Sequence, residues 1–163
     1  MKRRLLVIIG ALIALNGAST VKADQTLKFR IVAHVASVQI DNVGDVEGHV
    51  LLVARQEGIA FLDDGSIAGA TLTATSDYTK GAGTFLAYWN LTMNDGSTLY
   101  WKWPGTATVD GTTTTFPESP VTIVTGTGQF AGAKGDGTMK GIRVAAIAVG
   151  VHLIGDVVLN VRK

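Results

Sequence analysis

Along most of the chain apolar and polar residues alternate with period two, and glycine with aspartate or asparagine breaks the alternation at short intervals. That is the pattern of half-buried strands joined by tight turns. Asp63-Asp64-Gly65-Ser66, Asn94-Asp95-Gly96-Ser97 and Val109-Asp110-Gly111-Thr112 are three turn tetrads of nearly one kind, and Thr79-Lys80-Gly81-Ala82-Gly83 and Asp136-Gly137 add two more. The runs between them predict eight strands: Leu27–Ile40, His49–Phe61, Ala68–Tyr78, Thr84–Met93, Thr98–Thr108, Phe116–Thr125, Gly137–Val144 and Val151–Val161. Beyond the first two dozen residues no segment carries a helical period with caps. The expected fold is all-β, an antiparallel meander, and closing it into a barrel would remove its exposed edges.

The stretch YWNLTMNDGSTLYWKW, Tyr88 to Trp103, holds all three tryptophans. Asn94-Asp95-Gly96 has glycine where a three-residue hairpin loop requires a left-handed backbone. That loop sets Met93 opposite Ser97, Leu91 opposite Leu99 and Trp89 opposite Trp101, with Thr92/Thr98, Asn90/Tyr100 and Tyr88/Lys102 on the other face. A register shifted by one would mix the two faces. Phe85, Ala87, Trp89, Leu91, Leu99, Trp101 and Trp103 are therefore predicted to share the buried side.

The first residues, MKRRLLVIIGALIALNGASTVKA, have the basic start, apolar middle and small-residue end of a secretory signal peptide, with cleavage expected after Ala23. The apolar run from Leu5 to Leu15 is shorter than the roughly 20 residues of a membrane span, so no stable membrane anchor is expected. The mature chain, residues 24–163, is long enough for one domain with a sizeable core. Losing Lys2, Arg3, Arg4 and Lys22 leaves 10 basic against 13 acidic residues, a net of −3, so the basic leader alone accounts for the +1 of the whole chain. A mildly acidic domain has no broad attraction for phosphate backbones, and nucleic acid is not an expected partner. The chain has no cysteine, which removes disulfides, thiol catalysis and thiolate metal sites. Export to a periplasm or to the outside of the cell is the expected destination.

Gly126-Thr127-Gly128-Gln129-Phe130-Ala131-Gly132-Ala133-Lys134-Gly135 is a second distinctive segment. It resembles the G-[TS]-G-x-F-x-G-A-x-G signature of allene oxide cyclase and dirigent-type barrels and of small exported bacterial proteins like them. The resemblance implies a closed eight-stranded antiparallel barrel with an apolar interior, often assembled into homotrimers. It carries no catalytic position across, because those enzymes' acids and tyrosines lie on other strands. Gly126, Gly128 and Gly132 are spaced G-x-G-x-x-x-G with no helix following, which is not a dinucleotide fingerprint.

Candidate chemistry is sparse. Asp45, Glu47 and His49 stand at alternate positions and would share one face if the strand began early; Glu47 and His49 are the candidate catalytic pair. Arg55 and Glu57 continue that odd-numbered series and are candidate ligand contacts at a barrel mouth. His34 and His152 lie among valines and are expected at the core or its edge. No H-x-H, H-E-x-x-H or G-x-S-x-G motif occurs, so no metal site, cofactor or serine nucleophile is expected. Phe116-Pro117-Glu118-Ser119-Pro120 predicts a bulge or an edge, with Glu118 a candidate rim acid.

These features favour an exported barrel that binds a small apolar or aromatic molecule in its interior, with Phe85, Trp89, Trp101 and Trp103 as walls. The resemblance also allows a cofactor-independent isomerase or cyclase. A barrel whose filled interior serves assembly is the third alternative.

Overall fold

A computed structural model of the protein describes residues 24–149 and 152–163; the predicted leader, residues 1–23, lies outside them. The strands are β1 (Gln25–Asn42), β2 (His49–Leu62), β3 (Ile67–Thr79), β4 (Ala82–Thr92), β5 (Thr98–Asp110), β6 (Thr113–Gly126), β7 (Lys134–Arg143) and β8 (His152–Arg162). Each pairs antiparallel with its neighbour in sequence, and β8 pairs back to β1, so the sheet closes into a barrel. Closure leaves no unpaired edge for another chain to extend.

The predicted hairpin register is present. Trp89 lies opposite Trp101, Leu91 opposite Leu99 and Asn90 opposite Tyr100. Gly96, at φ +80°, supplies the left-handed turn residue, and the Met93 amide donates to the Ser97 carbonyl across the loop. Every member of the predicted apolar face, from Phe85 to Trp103, is buried.

Even-numbered positions of β2 and β3 face inward and are mostly small: Ala54, Ala60, Ala68, Ala70 and Ala74. Inward positions of β4 and β5 carry the indoles. Small residues on one wall make room for large ones reaching across from the other, which is how an eight-stranded barrel fills its own interior. Trp89 and Trp101 stack at 6.1 Å between ring centroids, and Phe29 from β1 meets Trp101 edge-on at 5.7 Å.

All three prolines, Pro104, Pro117 and Pro120, fall where β5 and β6 part. The β5–β6 pairing is interrupted between Lys102 and Thr108, and the β6–β7 register shifts between Phe116 and Ser119. Proline has no amide to give a ladder, so a bulge is the expected consequence. β6 nevertheless begins at Thr113, three residues earlier than its apolar pattern suggested, because the Thr-rich run pairs with Thr108–Asp110.

An up-and-down barrel has two ends, and here they differ. One end collects the loops at 63–66, 93–97 and 127–133 with both ends of the described chain. The other collects the loops at 43–48, 80–81 and 111–112 and the segment 144–149. The 127–133 loop seals the first end. Its short 3₁₀ turn, Gly128–Phe130, pushes Phe130 into the core, and the Gln129 amide donates to Ser97 Oγ at 3.0 Å. Ser97 in turn donates to Asp95 through its amide and hydroxyl, each at 2.9 Å. Gly128 is at φ +55°, and a Cβ there would stand 2.3 Å from Ser97 Oγ. The glycine signature is thus the plug of the closed end.

Candidate functional site

The opposite end is built differently. Inward positions break the apolar pattern with Ser76 and Tyr78 (β3), Thr114 (β6) and Arg143 (β7) near their strand ends and with Gln56 at the middle of β2, all buried. Beneath them lies an aromatic floor. Phe85 meets Trp103 edge-on at 4.7 Å and Phe116 at 5.4 Å. Gly105, directly across the ladder from Phe85, leaves the space the ring occupies, since a Cβ there would sit 2.6 Å from Phe85 Cζ. Trp103 Nε1 donates to Ser119 Oγ at 2.7 Å, and Ser119 donates on to the Pro104 carbonyl at 3.0 Å. The proline-driven bulge therefore gives Trp103 a fixed orientation. Trp89 and Trp101 have no comparable anchor for their buried indole nitrogens.

Arg143 is 5% exposed. Its Nε donates to the Ala145 carbonyl at 3.1 Å and its Nη2 to Thr114 Oγ1 at 3.2 Å, while its guanidinium carbon lies 5.6 Å from the centroid of the Phe116 ring. Among the described residues no carboxylate pairs with it. Burial pulls its pKa down, with Tyr78 acting the other way. Burial also pushes the Tyr78 phenol up, against the opposing pull of Ser76 and Arg143, so Tyr78 is a neutral hydroxyl at physiological pH. The Gln56 side-chain carbonyl is buried without a hydrogen-bond partner. A buried acceptor left unpaired costs about 1–3 kcal/mol.

The free volume follows the same division. Inside the barrel a cavity of about 30 Å³ is enclosed by Gln56, Ser76, Tyr78, Phe85, Trp103 and Arg143 among others. That is room for a water or two, not for an organic molecule. Above it the mouth opens to about 430 Å³, walled by Ile40, Val50, Val109 and Ile147, within the usual range for small-molecule sites. Leu52, Tyr78, Arg143 and Ile147 border the cavity and the mouth alike.

The residues singled out from sequence fall in three places. Phe85 and Trp103 form the floor of the open end. Trp89 and Trp101 are 0% exposed in the filled middle and border neither volume. The remaining four lie outside the barrel wall. Core residues Leu52, Ala54 and Gln56 take the even positions of β2, so His49, Arg55 and Glu57 point outward. Arg55 and Glu57 form an exposed ion pair at 3.2 Å.

Asp45 and Glu47 do not extend β2, which starts at His49 after a turn with Gly48 at φ +77°. His49 meets Asp45 through Nδ1 at 2.5 Å and Asp77 through Nε2 at 2.9 Å, whereas Glu47 reaches Lys80 at 3.4 Å. Only the doubly protonated imidazolium donates to both aspartates. The hydrogen bonds to Asp45 and Asp77 accordingly raise the His49 pKa above its ordinary value. This arrangement clamps the 43–48 loop to β3. His34 and His152 face each other across β1 and β8 on the outer surface, because Ala33 and Leu153 take the inward positions. Glu118 is exposed at the β6 bulge.

No protein-family model matches the sequence, and no curated protein matches it. Solved structures do. The pterocarpan synthase dirigent protein GePTS1 aligns over 100% of this chain and 98% of its own, with a TM-score of 0.54 at 13% identity. The chain has the dirigent-type barrel fold. The pterocarpan synthase dirigent protein PsPTS1 aligns over 85% of this chain and 97% of its own, with a TM-score of 0.53 at 16% identity. A pyocyanin demethylase aligns more loosely, with a TM-score of 0.44 at 13% identity over 85% of this chain and 99% of its own. The dirigent-type fold is what the glycine signature implied.

Proposed function

We propose that the protein binds a small apolar or aromatic molecule at the open end of the barrel, seated in the mouth above the Phe85–Trp103–Phe116 floor. The observation that carries this reading is the uneven filling. The middle is packed with indoles and one end is plugged, yet the other keeps an apolar mouth of about 430 Å³ over Arg143 and the unpaired Gln56 carbonyl. The leader adds export to the proposal, with the protein acting in a periplasm or outside the cell.

Binding is preferred to isomerase or cyclase chemistry because the acid–base candidates Glu47 and His49 are committed to Lys80 and to two aspartates outside the barrel. A co-purification experiment tests the reading: release small molecules from protein isolated without refolding, identify them by mass spectrometry, and titrate the emptied barrel while following tryptophan emission. Val109→Trp, which fills the mouth, is expected to abolish uptake while the circular dichroism spectrum persists. Uptake undiminished by that variant would place the ligand elsewhere.

A second reading, homo-oligomeric assembly, is favoured by the outer face of β2–β4. Leu51, Val53, Leu86 and Tyr88 are apolar and exposed there, and Val53, Thr75 and Leu86 stand in one row across the three strands. Light scattering tests it. A trimer mass that falls to the monomer in Val53→Glu/Leu86→Glu supports assembly through this face, and a monomeric wild type rejects it.

A further inference from the structure

The reading above leaves open what distinguishes one apolar molecule from another, and the polar groups under the mouth address that. Resting on it, we infer that the open end selects a small organic acid, with its carboxylate taken by Arg143 and its apolar body held between Val50, Val109 and Ile147.

Arg143 carries a full charge in a nearly closed apolar end, and a guanidinium has five N–H donors in a planar fork. Two nitrogens are spent, Nε on Ala145 and Nη2 on Thr114. Nη1 has no hydrogen bond among the described residues and remains to donate to a carboxylate oxygen. The Phe116 ring at 5.6 Å supplies part of what a carboxylate would. An unpaired buried charge is retained against its desolvation cost, and replacing it with an apolar side chain is the cheaper structural solution.

Three neighbours fit the same head group. Tyr78 is a neutral phenol bordering the cavity and the mouth, able to donate to a carboxylate oxygen. Ser76 offers a hydroxyl on the same face of β3. Gln56, 5% exposed, turns an unpartnered carbonyl into the cavity and suits a hydroxyl or the acid proton of a ligand. At the rim Glu47 is held by Lys80. The walls of the mouth are apolar, so a strongly hydrated anion such as phosphate gains the charge contact and nothing else.

Calorimetry on the purified protein with two probes of one skeleton, 3-phenylpropionate and 3-phenylpropanol, tests this. The acid is expected to bind at least about tenfold tighter than the alcohol, an advantage that Arg143→Gln erases while binding of the alcohol persists. Tyr78→Phe is the gentler check if Arg143→Gln fails to fold; it should weaken the acid a few-fold and leave the alcohol unchanged. Equal affinities for the two probes would overturn the carboxylate assignment and leave the binding reading standing. Binding of neither would overturn both. Inorganic phosphate that displaces 3-phenylpropionate at equal concentration would also overturn the assignment, because the apolar body would then contribute nothing.

Discussion

The two ends of this barrel are made of the same strands and solve opposite problems. At the closed end polar groups of the turns pair with one another. Asp95 is taken by Ser97, Ser97 by Gln129, and Thr98 by Thr127, while Phe130 fills the axis. At the open end the barrel buries a cation without a carboxylate and an amide carbonyl without a donor, over an aromatic floor with space above it. A fold optimised only for stability would not keep the second arrangement, since natural proteins accept such costs chiefly at functional sites. The difference teaches where to look for function on a barrel whose middle is full.

The comparison can be broken by substitution, and the largest effect is expected in the shared middle. Trp101→Ala removes an indole stacked on Trp89 and edged by Phe29. It should cost about 3–5 kcal/mol in urea unfolding. Next comes the plug, where Gly128→Ala forces a left-handed backbone and a clash with Ser97. A loss of about 1–3 kcal/mol is expected there, with ligand affinity unchanged in the surviving folded protein. At the open end Arg143→Met should leave stability within about 1 kcal/mol of wild type, or raise it, while affinity for an organic acid collapses. A stability loss at Arg143 as large as that at Gly128 would erase the distinction between the ends.

The smallest effect is a pH dependence at the outer rim of the open end. Hydrogen bonds to Asp45 and Asp77 raise the His49 pKa above the ordinary 6.5, and the same contact lowers that of Asp45. A histidine raised on folding stabilises the native state fully below its unfolded pKa, and that contribution is lost as pH rises through the folded value. A modest decline in melting temperature is therefore expected from about pH 6.5 upward. Asp77→Asn should shrink it and His49→Ala should remove it. Lys80 and Glu47 pair with each other beside the same loop.

The architecture was legible in the sequence for local reasons. Alternation located the strands, and Asn94-Asp95-Gly96 admitted one register that kept the indoles on a single face. The glycine signature pointed to the barrel through its resemblance to allene oxide cyclase and dirigent-type proteins. The site was much less legible. Gln56, Tyr78, Thr114 and Arg143 come from β2, β3, β6 and β7 and meet only because the sheet closes. One signal was present: each is a polar residue at an inward-parity position, Tyr78, Thr114 and Arg143 near the same end of their strands and Gln56 at mid-strand, as in Leu52-x-Ala54-x-Gln56 or Met139-x-Gly141-x-Arg143. The odd-numbered series of His49, Arg55 and Glu57 was correctly read as one face, but which face depended on the core taking the even positions.

The three indole N–H groups distinguish the open end from the middle, since Trp103 lies at one depth of the barrel and the paired Trp89 and Trp101 at another. In a ¹⁵N-labelled protein titrated with 3-phenylpropionate, the Trp103 side-chain resonance should shift, because its ring floors the open end and is held by Ser119. Those of Trp89 and Trp101, packed in the middle, should stay in place. A shift confined to Trp89 and Trp101, or no shift at saturating ligand, would contradict the assignment of function to the open end.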